Sequence, residues 1–432
     1  MMATDSRPAT SPAGASSQSL ARTDAAGSAG ASAKEGATAV ILGGGPIGLV
    51  CALLLARQGF AIQLVDARPL EALRRDRRLL ALSRGTIGVL ESLLGRGFAP
   101  TAPIEHVHVS SRGDPGATHL RARDFGGVAL GATVWYADLV DALSRAAQEQ
   151  ARIDIARPHR ALQTLQRPDR VRVVLDDGCA LEAALAIDAE GSPPRLREPE
   201  DYALLADLDV TQGRPGDAIE RFTREGPLAL LPLPGAAFGD GAPSPGGPQD
   251  AGVQRRGTAR MSMIWCLPAS LARARMALAD AQLLELICRA LGPRIGRATA
   301  IGERSMFPLL AHRLDRVCEH RLVHLGNAAQ SLHPVAGQGF NLGIRDCVCL
   351  VECLIESATT DPGDPLAALT KYSARRRLDR AIVPALTSAL PRVFSSTLAP
   401  VVVARSAALL ALDLVPGLRR GFTRLLMFGV PG

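Results

Sequence analysis

Apolar positions along this chain follow several rhythms. Ala39-Val40-Ile41-Leu42 is a short, unbroken apolar run ahead of glycines, the form of a strand buried on both faces. After Gly48 the chain is apolar for long enough to predict a buried helix running to Gln58. Gly59 stops it, and a second strand ends in Asp66. Farther on, His106-Val107-His108-Val109-Ser110, Tyr202 to Val210 and Met261 to Cys266 read as strands, several without a helix between them. They predict a second, antiparallel sheet. A strand ends at Gly326, and Gly337, Gly339 and Gly343 open a segment that becomes apolar and helical through Val351. From about Asp364 the pattern is helical and interleaves apolar runs with arginines.

Two stretches lack any such rhythm. Residues 1–36 are rich in Ala, Ser, Gly and Thr and contain no apolar h-region, so they are expected to be a disordered tail rather than a secretory signal. Residues 235–257 carry a run of Gly, Pro and Ser that predicts a flexible inserted loop. The chain has 432 residues, enough for two or three domains. Aromatics make up only 3% of it against 47% hydrophobic residues, so Leu, Val, Ala and Ile must build the core.

The net charge of +7 is almost all arginine, Lys occurring only at 34 and 371. No aromatic stacking platform is interleaved with these arginines, so nucleic acid is not expected as a partner. The eight cysteines form no CxxC pair and several lie in apolar runs, as expected of reduced thiols in a cytoplasmic protein. His106 and His108 share a strand face without a third ligand nearby, and no metal is assigned. No uncharged apolar run reaches the ~18 residues of a spanning helix. The C-terminal helices are left with two readings, packing on the first domain or docking on a membrane surface or partner protein.

The chemistry concentrates in two glycine-rich segments. The first, Gly43-x-Gly45-Pro46-x-Gly48, follows a strand, opens a helix and precedes a second strand with Asp66 at its end, which is the context a dinucleotide fingerprint requires. Gly43 allows the tight turn, Gly45 lets the pyrophosphate approach, Gly48 lets helix and strand pack, and Asp66 is placed to accept from a ribose hydroxyl. The second runs from His333 through Gly337, Gln338, Gly339 and Asn341 to Asp346 and puts backbone N–H groups at a helix N-terminus. Together they suit one extended cofactor, adenosine at the first site and a flavin ring at the second. Asn327 falls where ribityl or phosphate oxygens need a polar partner. His333 and Gln338 have no acid, nucleophile or metal partner in sequence and read as shaping the ring site.

Gly43-x-Gly45-x-x-Gly48, Asp76-Arg77-Arg78-Leu79-Leu80-Ala81-Leu82-Ser83 and Gly326-Asn327-Ala328-Ala329-Gln330-Ser331-Leu332-His333-Pro334 through Asp346 resemble the flavoprotein aromatic hydroxylases of ubiquinone biosynthesis. The Asn-Ala-Ala-Gln form, the stretch Glu220 to Pro232 and the tail Leu398 to Arg405 are similar to the 2-polyprenyl-6-methoxyphenol hydroxylase branch. The resemblance spans residues 37–432. It implies an α/β, para-hydroxybenzoate-hydroxylase-like fold: an FAD-binding Rossmann-type domain (37–103, 134–200 and 302–363), an inserted antiparallel-sheet substrate domain (104–133 and 201–301) and a helical C-terminal region (364–432). It implies FAD as cofactor, NAD(P)H as reductant and O2 as oxidant. A flavin C4a-hydroperoxide would pass its distal oxygen to the ring of a polyprenylated phenol, with the flavin rather than a side chain performing the chemistry.

The same resemblance assigns Gly43, Gly45, Pro46, Gly48 and Asp66 to the ADP half, Arg78 to the FAD region, and Asn327 to the position where relatives place an Asp against the ribityl chain. Pro334, Gly337, Gln338, Gly339 and Asn341 would line the isoalloxazine ring. A ubiquinone-biosynthesis protein complex and peripheral contact at the inner face of a membrane are its implied partners. One departure bears on reduction by NAD(P)H: relatives carry Asp-Gly where this chain has Glu190-Gly191. A same-fold hydroxylase acting at another ring position or on a soluble phenol, and a flavin-bound structural member of the complex, are the alternatives.

Overall fold

The computed structural model describes residues 39–191, 198–235, 257–293, 295–310, 312–332, 337–358 and 364–429. The expected tail at 1–36 and nearly all of the expected loop at 235–257 lie outside these residues. Strand β1 (Ala39–Leu42), helix α1 (Pro46–Arg57) and β2 (Ile62–Val65) form the opening unit. Next come α2 (Leu70–Arg74), β3 (Leu79–Ser83) and α3 (Arg84–Leu94), where the Ser83 hydroxyl accepts from the Thr86 amide and caps the helix. The chain then runs out through β4 (Thr101–Ile104), β5 (His106–Ser111) and β6 (Ala117–Arg121). It returns by β7 (Gly131–Trp135), α4 (Tyr136–Gln148) and β8 (Ile153–Ala156). A meander of β9 (Ala161–Gln166), β10 (Val171–Leu175) and β11 (Ala180–Ala183) leads into β12 (Leu185–Asp188).

The second half begins with β13 (Asp201–Gly213), β14 (Asp217–Thr223), β15 (Gly226–Pro232) and β16 (Gly257–Pro268). Helices α5 (Ala269–Met276) and α6 (Asp280–Leu291) precede β17 (Ala298–Leu309). After β18 (His312–Arg313), β19 (Leu322–His324) and β20 (Gln330–Ser331) come four helices, α7 (Gln338–Ala358), α8 (Leu366–Ser395), α9 (Ala399–Leu414) and α10 (Pro416–Phe428).

A five-stranded parallel sheet, in the order β19-β12-β1-β2-β8, carries the first glycine loop. Side chains alternate across β1. Ala39 and Ile41 pack with α1, α4 and α7, while Val40 and Leu42 pack against the β9–β11 meander. Both faces are therefore covered, which is why β1 is apolar throughout.

The larger sheet has seven strands in the order β17-β13-β16-β15-β14-β5-β6 and is antiparallel except where β14 meets β5. Leu204, Leu208, Met263 and Trp265 on one face are buried with α6 residues Leu283 and Ile287. Strand β17 runs from Ala298 to Leu309 through the expected boundary at 302, pairing with β13 on both sides of a register shift at Gly302 and Glu303.

Buried ion pairs fasten the C-terminal helices. Asp346 on α7 is fully buried and accepts from Arg376 Nε at 2.7 Å; Arg376 Nη1 reaches Asp379 at 2.7 Å, and Arg345 Nε reaches Asp379 at 2.9 Å. Helix α9 lies along β6, where Thr118 donates to the Leu409 carbonyl at 2.6 Å and the His119 amide donates to Asp413 at 3.0 Å. Helix α10 packs on α3. Among the described residues no single helix is long and apolar enough to cross a membrane; α9 and α10 form an apolar pair bent by 97°.

Removing one partner of a buried pair leaves a bare charge. Arg376→Ala is expected to lower the unfolding free energy in urea by about 3–5 kcal/mol, and the apolar pair Asp346→Leu with Arg376→Met to recover most of it.

His108 contacts His119 at 3.0 Å. Burial, then the charges of His119 and Arg221, lower its pKa from 6.5 to about 4, opposed by Asp413. The unfolded chain therefore takes up a proton that the folded chain refuses between these values, and stability falls as pH drops through that window. The loss is at most about 3 kcal/mol. The thermal midpoint should fall between pH 6.5 and about 4, less steeply in His108→Gln.

Candidate cofactor-binding site

The carboxyl ends of β1, β2, β12 and β19 open on one edge of the parallel sheet, where β1 lies between β2 and β12 and the strand order reverses direction, the usual position for a ligand crevice. Gly43 leaves β1 with φ +99°, and a Cβ there would lie 2.4 Å from the Ala189 carbonyl oxygen. A Cβ on Gly48 would lie 1.8 Å from the Gly43 carbonyl oxygen, so the first turn of α1 crosses the loop at a distance only glycine permits. Gly45 is the extended N-cap residue, Pro46 starts the helix, no side chain caps it, and no acid lies in its first turn. The positive end of α1 is thus free for an anion.

Asp66 is buried and holds this loop together. Its Oδ2 accepts from the Gly44 amide at 2.7 Å and its Oδ1 from the Arg68 amide at 2.8 Å. Arg157 bonds the Gly44 carbonyl at 2.5 Å and stands 3.9 Å from Asp66. The Arg68 guanidinium also reaches both oxygens, Nε at 3.3 Å and Nη2 at 3.4 Å, so a ribose hydroxyl on Asp66 would take the place of one of these longer contacts.

The strand-to-turn at Gly326–Ala328 follows β19. Gly326 packs against Ile47 of α1, and a Cβ on Gly343 of α7 would lie 2.7 Å from Ile47 and 3.1 Å from Gly326. Asn327, exposed between buried Gly326 and Ala328, is therefore set between the first glycine loop and the start of α7. Two of the sequence-predicted regions meet there.

The other end of the site depends on Asn341. Its carboxamide oxygen accepts from the Ser83 amide at 2.8 Å, and its nitrogen donates to the carbonyls of Ala81 at 2.9 Å and Gly337 at 2.8 Å. Gly337 turns with φ +59° and sits so close to Ala81 that a Cβ would lie 2.8 Å from that side chain. The Asn341 amide is thus engaged by backbone on both sides, shaping the loop rather than offering polar atoms to a ring. Gln338 is buried, with Nε2 3.5 Å from the Leu426 carbonyl of α10. Gly339, in the first turn of α7, has nothing within 4 Å of its Cβ position. His333 and Pro334 lie outside the described residues.

Arg78 is held by Asp76 through Nε at 2.9 Å and Nη2 at 2.6 Å, and its guanidinium lies over the rings of Tyr136 at 4.8 Å and Phe307 at 5.8 Å. It joins the parallel-sheet layer to the large sheet. Phe307 pairs with Ala203 and lies on the sheet face opposite α5 and α6, the face shared by Leu205 and Ile264. This half-exposed apolar face forms a wall beside the loop site.

Glu190 follows β12, beside the Gly43 turn. Its side chain is exposed, and its amide donates to Asp188 at 3.1 Å. Partial desolvation, then the charges of Asp188 and Asp66, push its carboxyl above the ordinary range. Asp188, one turn of chain earlier, is the acid locked into the sheet, 2.7 Å from His324 of β19.

Sequence reasoning did not identify Arg68, Arg157, Tyr136 or Phe307. Arg68 stands two residues beyond Asp66 and was open to detection as its nearest cation. Arg157 and Tyr136 reach the loop only through sheet order, β8 beside β2 and α4 behind α1, and no local pattern announces them. Away from this site, His159, Asp176 and Asp177 bring ligand atoms within 4.8 Å of one another at the surface, both carboxylates being exposed.

A glycine cradle, an uncapped helix end, a buried acid and an exposed Asn327 fit an extended dinucleotide. The family model described as FAD binding domain matches residues 36–201 and 241–383. "Ubiquinone hydroxylase UbiL" of Rhodospirillum rubrum is 29% identical over 414 residues, covering 91% of this chain and 90% of that protein. The 3-demethoxyubiquinol 3-hydroxylase of Escherichia coli is 26% identical over 402 residues, 88% of this chain and 95% of that one. The solved structure of p-nitrophenol 4-monooxygenase PnpA from Pseudomonas putida superposes with a TM-score of 0.66 at 13% identity, covering 91% of this chain and 99% of that one, and shares the fold.

Asn341→Leu keeps the bulk of the side chain but strands one amide and two carbonyls in the interior, each worth about 1–3 kcal/mol. We expect flavin affinity, read by fluorescence titration, to weaken by about 100-fold or more, since about 3 kcal/mol of lost ordering is a factor of that size.

Proposed function

Because the chain belongs to the FAD binding domain family, we propose that it is an FAD-dependent monooxygenase hydroxylating the aromatic ring of a polyprenylated phenol in ubiquinone biosynthesis, with NAD(P)H and O2. The observation that carries this reading is similarity along nearly the whole chain to proteins named as ubiquinone hydroxylases. The resemblance of Asn327-Ala328-Ala329-Gln330 to the 2-polyprenyl-6-methoxyphenol hydroxylases favours that branch. The E. coli relative is named a 3-hydroxylase, and a same-fold hydroxylase of another ring position or of a soluble phenol is the alternative.

FAD, when bound, supplies electron transfer from the nicotinamide and activation of oxygen. The chain's own groups do the rest. Gly43, Gly45 and the N-terminus of α1, with Pro46 and Gly48 shaping the turn, take the pyrophosphate, and Asp66 takes the ribose. Asn327 would hold the ribityl chain, and the backbone of Gly337 and Gly339, positioned by Asn341 and Gln338, would hold the ring. Pro334 belongs to the same loop by sequence.

Arg78 holds the FAD layer and the large sheet at a fixed spacing through Tyr136 and Phe307. The apolar face of Phe307, Leu205 and Ile264 is where an aromatic ring would lie and where water would be excluded. No side chain is assigned as acid or base. A polyprenyl tail keeps the substrate in lipid, so the reading includes peripheral contact with a bilayer and membership of a biosynthetic complex.

The test is turnover. The yellow, FAD-loaded protein should oxidise NADH or NADPH faster when given a polyprenylated phenol, with one oxygen atom from 18O2 appearing in the product. A flavin that no pyridine nucleotide reduces, with or without phenol, would leave the exposed Glu190 in place of Asp as a lost function and make the chain a structural member of the complex. Deleting the gene should accumulate a quinone precursor lacking one ring hydroxyl; an unchanged quinone profile would reject the assignment.

A further inference from the structure

Helix α9 turns its charges inward and its apolar side chains outward. Arg405, only 7% exposed, pairs with Asp114 at 2.5 Å and donates to the carbonyls of Val393, Phe394 and Ser396. Asp413 faces β6 through the His119 amide, and Arg419 at the start of α10 pairs with Asp124 at 3.1 Å. The outer side carries Leu398 and Val403 at 67% exposure, Leu414 at 68%, and Leu410, Val415 and Leu418 near half. Ala404, Ala407 and Ala408, also exposed, fill the spaces between them.

The charge around this face has one sign. From Arg392 to Gly429 the only acid is Asp413, already bonded inward. Arg392, Arg420 and Arg424 are exposed and make no ion pair among the described residues. A contiguous aliphatic face of this kind marks an interaction site. Its chemistry selects the partner: α9 and the first turn of α10 expose no aromatic side chain, Phe428 lying at the far end of α10, and present aliphatic side chains with the unpaired cations Arg392, Arg420 and Arg424 on the same segment. The 97° bend between α9 and α10 suits two helices at an interface rather than a straight span.

We propose that α9 and the first turn of α10 dock on an anionic phospholipid bilayer, with α9 lying in the plane of the surface. The docking rests on the reading that the substrate is held in lipid, and it adds which face meets the lipid. Helix α10 then connects that face to the ring end of the cofactor site, where its Leu426 carbonyl lies against Gln338 and its Met427 carbonyl oxygen lies against Gly85, 3.1 Å from that residue's Cβ position.

The experiment uses the FAD-loaded full chain sedimented with vesicles of phosphatidylcholine alone or mixed equally with phosphatidylglycerol. It should partition onto the mixed vesicles, be released by salt, and stay free of the neutral ones. Arg420→Gln and Arg424→Gln should each lower partitioning by about fivefold. Val403→Glu with Leu414→Glu should abolish it. These positions are exposed, so all variants should keep FAD and the wild-type rate with a short-chain, water-soluble phenol.

Equal binding by wild type and variants, binding indifferent to anionic lipid, or no binding to either vesicle would overturn the proposal. So would a dimer in light scattering that Val403→Glu with Leu414→Glu dissolves, because a second copy would then be the occupant. Vesicle binding by a chain that never turns over supports the surface and rejects the hydroxylase, which separates the two readings.

Discussion

One carboxamide unites the two parts of the chain that make this site. Asn341 satisfies the Ser83 amide and the Ala81 and Gly337 carbonyls at once, joining segments about 260 residues apart. Those three backbone groups sit where strand β3 ends, α3 begins and the second glycine loop turns. Burial makes each bond matter more, since an unmade one there is not replaced by water. The cap at Ser83, the turn at Gly337 and the start of α7 all take their positions from this contact. The five-stranded sheet supplies the cofactor's first half largely by itself; only this bridge supplies the second.

Arginine does the joining elsewhere. Arg376 and Arg345 tie α7 to α8, Arg78 spans the two layers between Tyr136 and Phe307, and Arg405 anchors α9 to the loop before β6. A planar guanidinium donates in several directions while stacking on rings, which lysine does not. The scarcity of lysine and the high net charge thus reflect internal fastening in part. Arg392, Arg420 and Arg424 are among the arginines that the surface displays.

What the sequence revealed followed the range of the forces involved. The segment from Ala39 to Asp66 was legible because strand, glycines, helix and acid are neighbours, although of the fingerprint glycines only Gly48 answers a contact inside the segment and Gly43 answers one with distant Ala189. The family of the chain was legible for the same reason, since its motifs are local. Asn341 was recognisable as a site residue, but its work was not, because its partners belong to β3. Arg157 and Tyr136 arrive by sheet order, which no local pattern encodes. The boundary that the resemblance implied at 302 lies within β17, whose residues on either side of that point pair with β13. In α9 the pattern showed a helix of apolar residues and few charges, but not that the charges face inward; Asp114 and His119, about 290 residues away, decide that.

The split site also imposes an order of events on the newly made protein. The fingerprint is complete by Asp66, yet Asn341 and the loop it fixes leave the ribosome only after three quarters of the chain. Until then β3 has no partner for the Ser83 amide, and the ring end of the cofactor has nowhere to rest. Flavin capture is therefore a late step, because β19, which completes the parallel sheet, and Asn341, which fixes the ring end, both follow the fingerprint by more than half the chain.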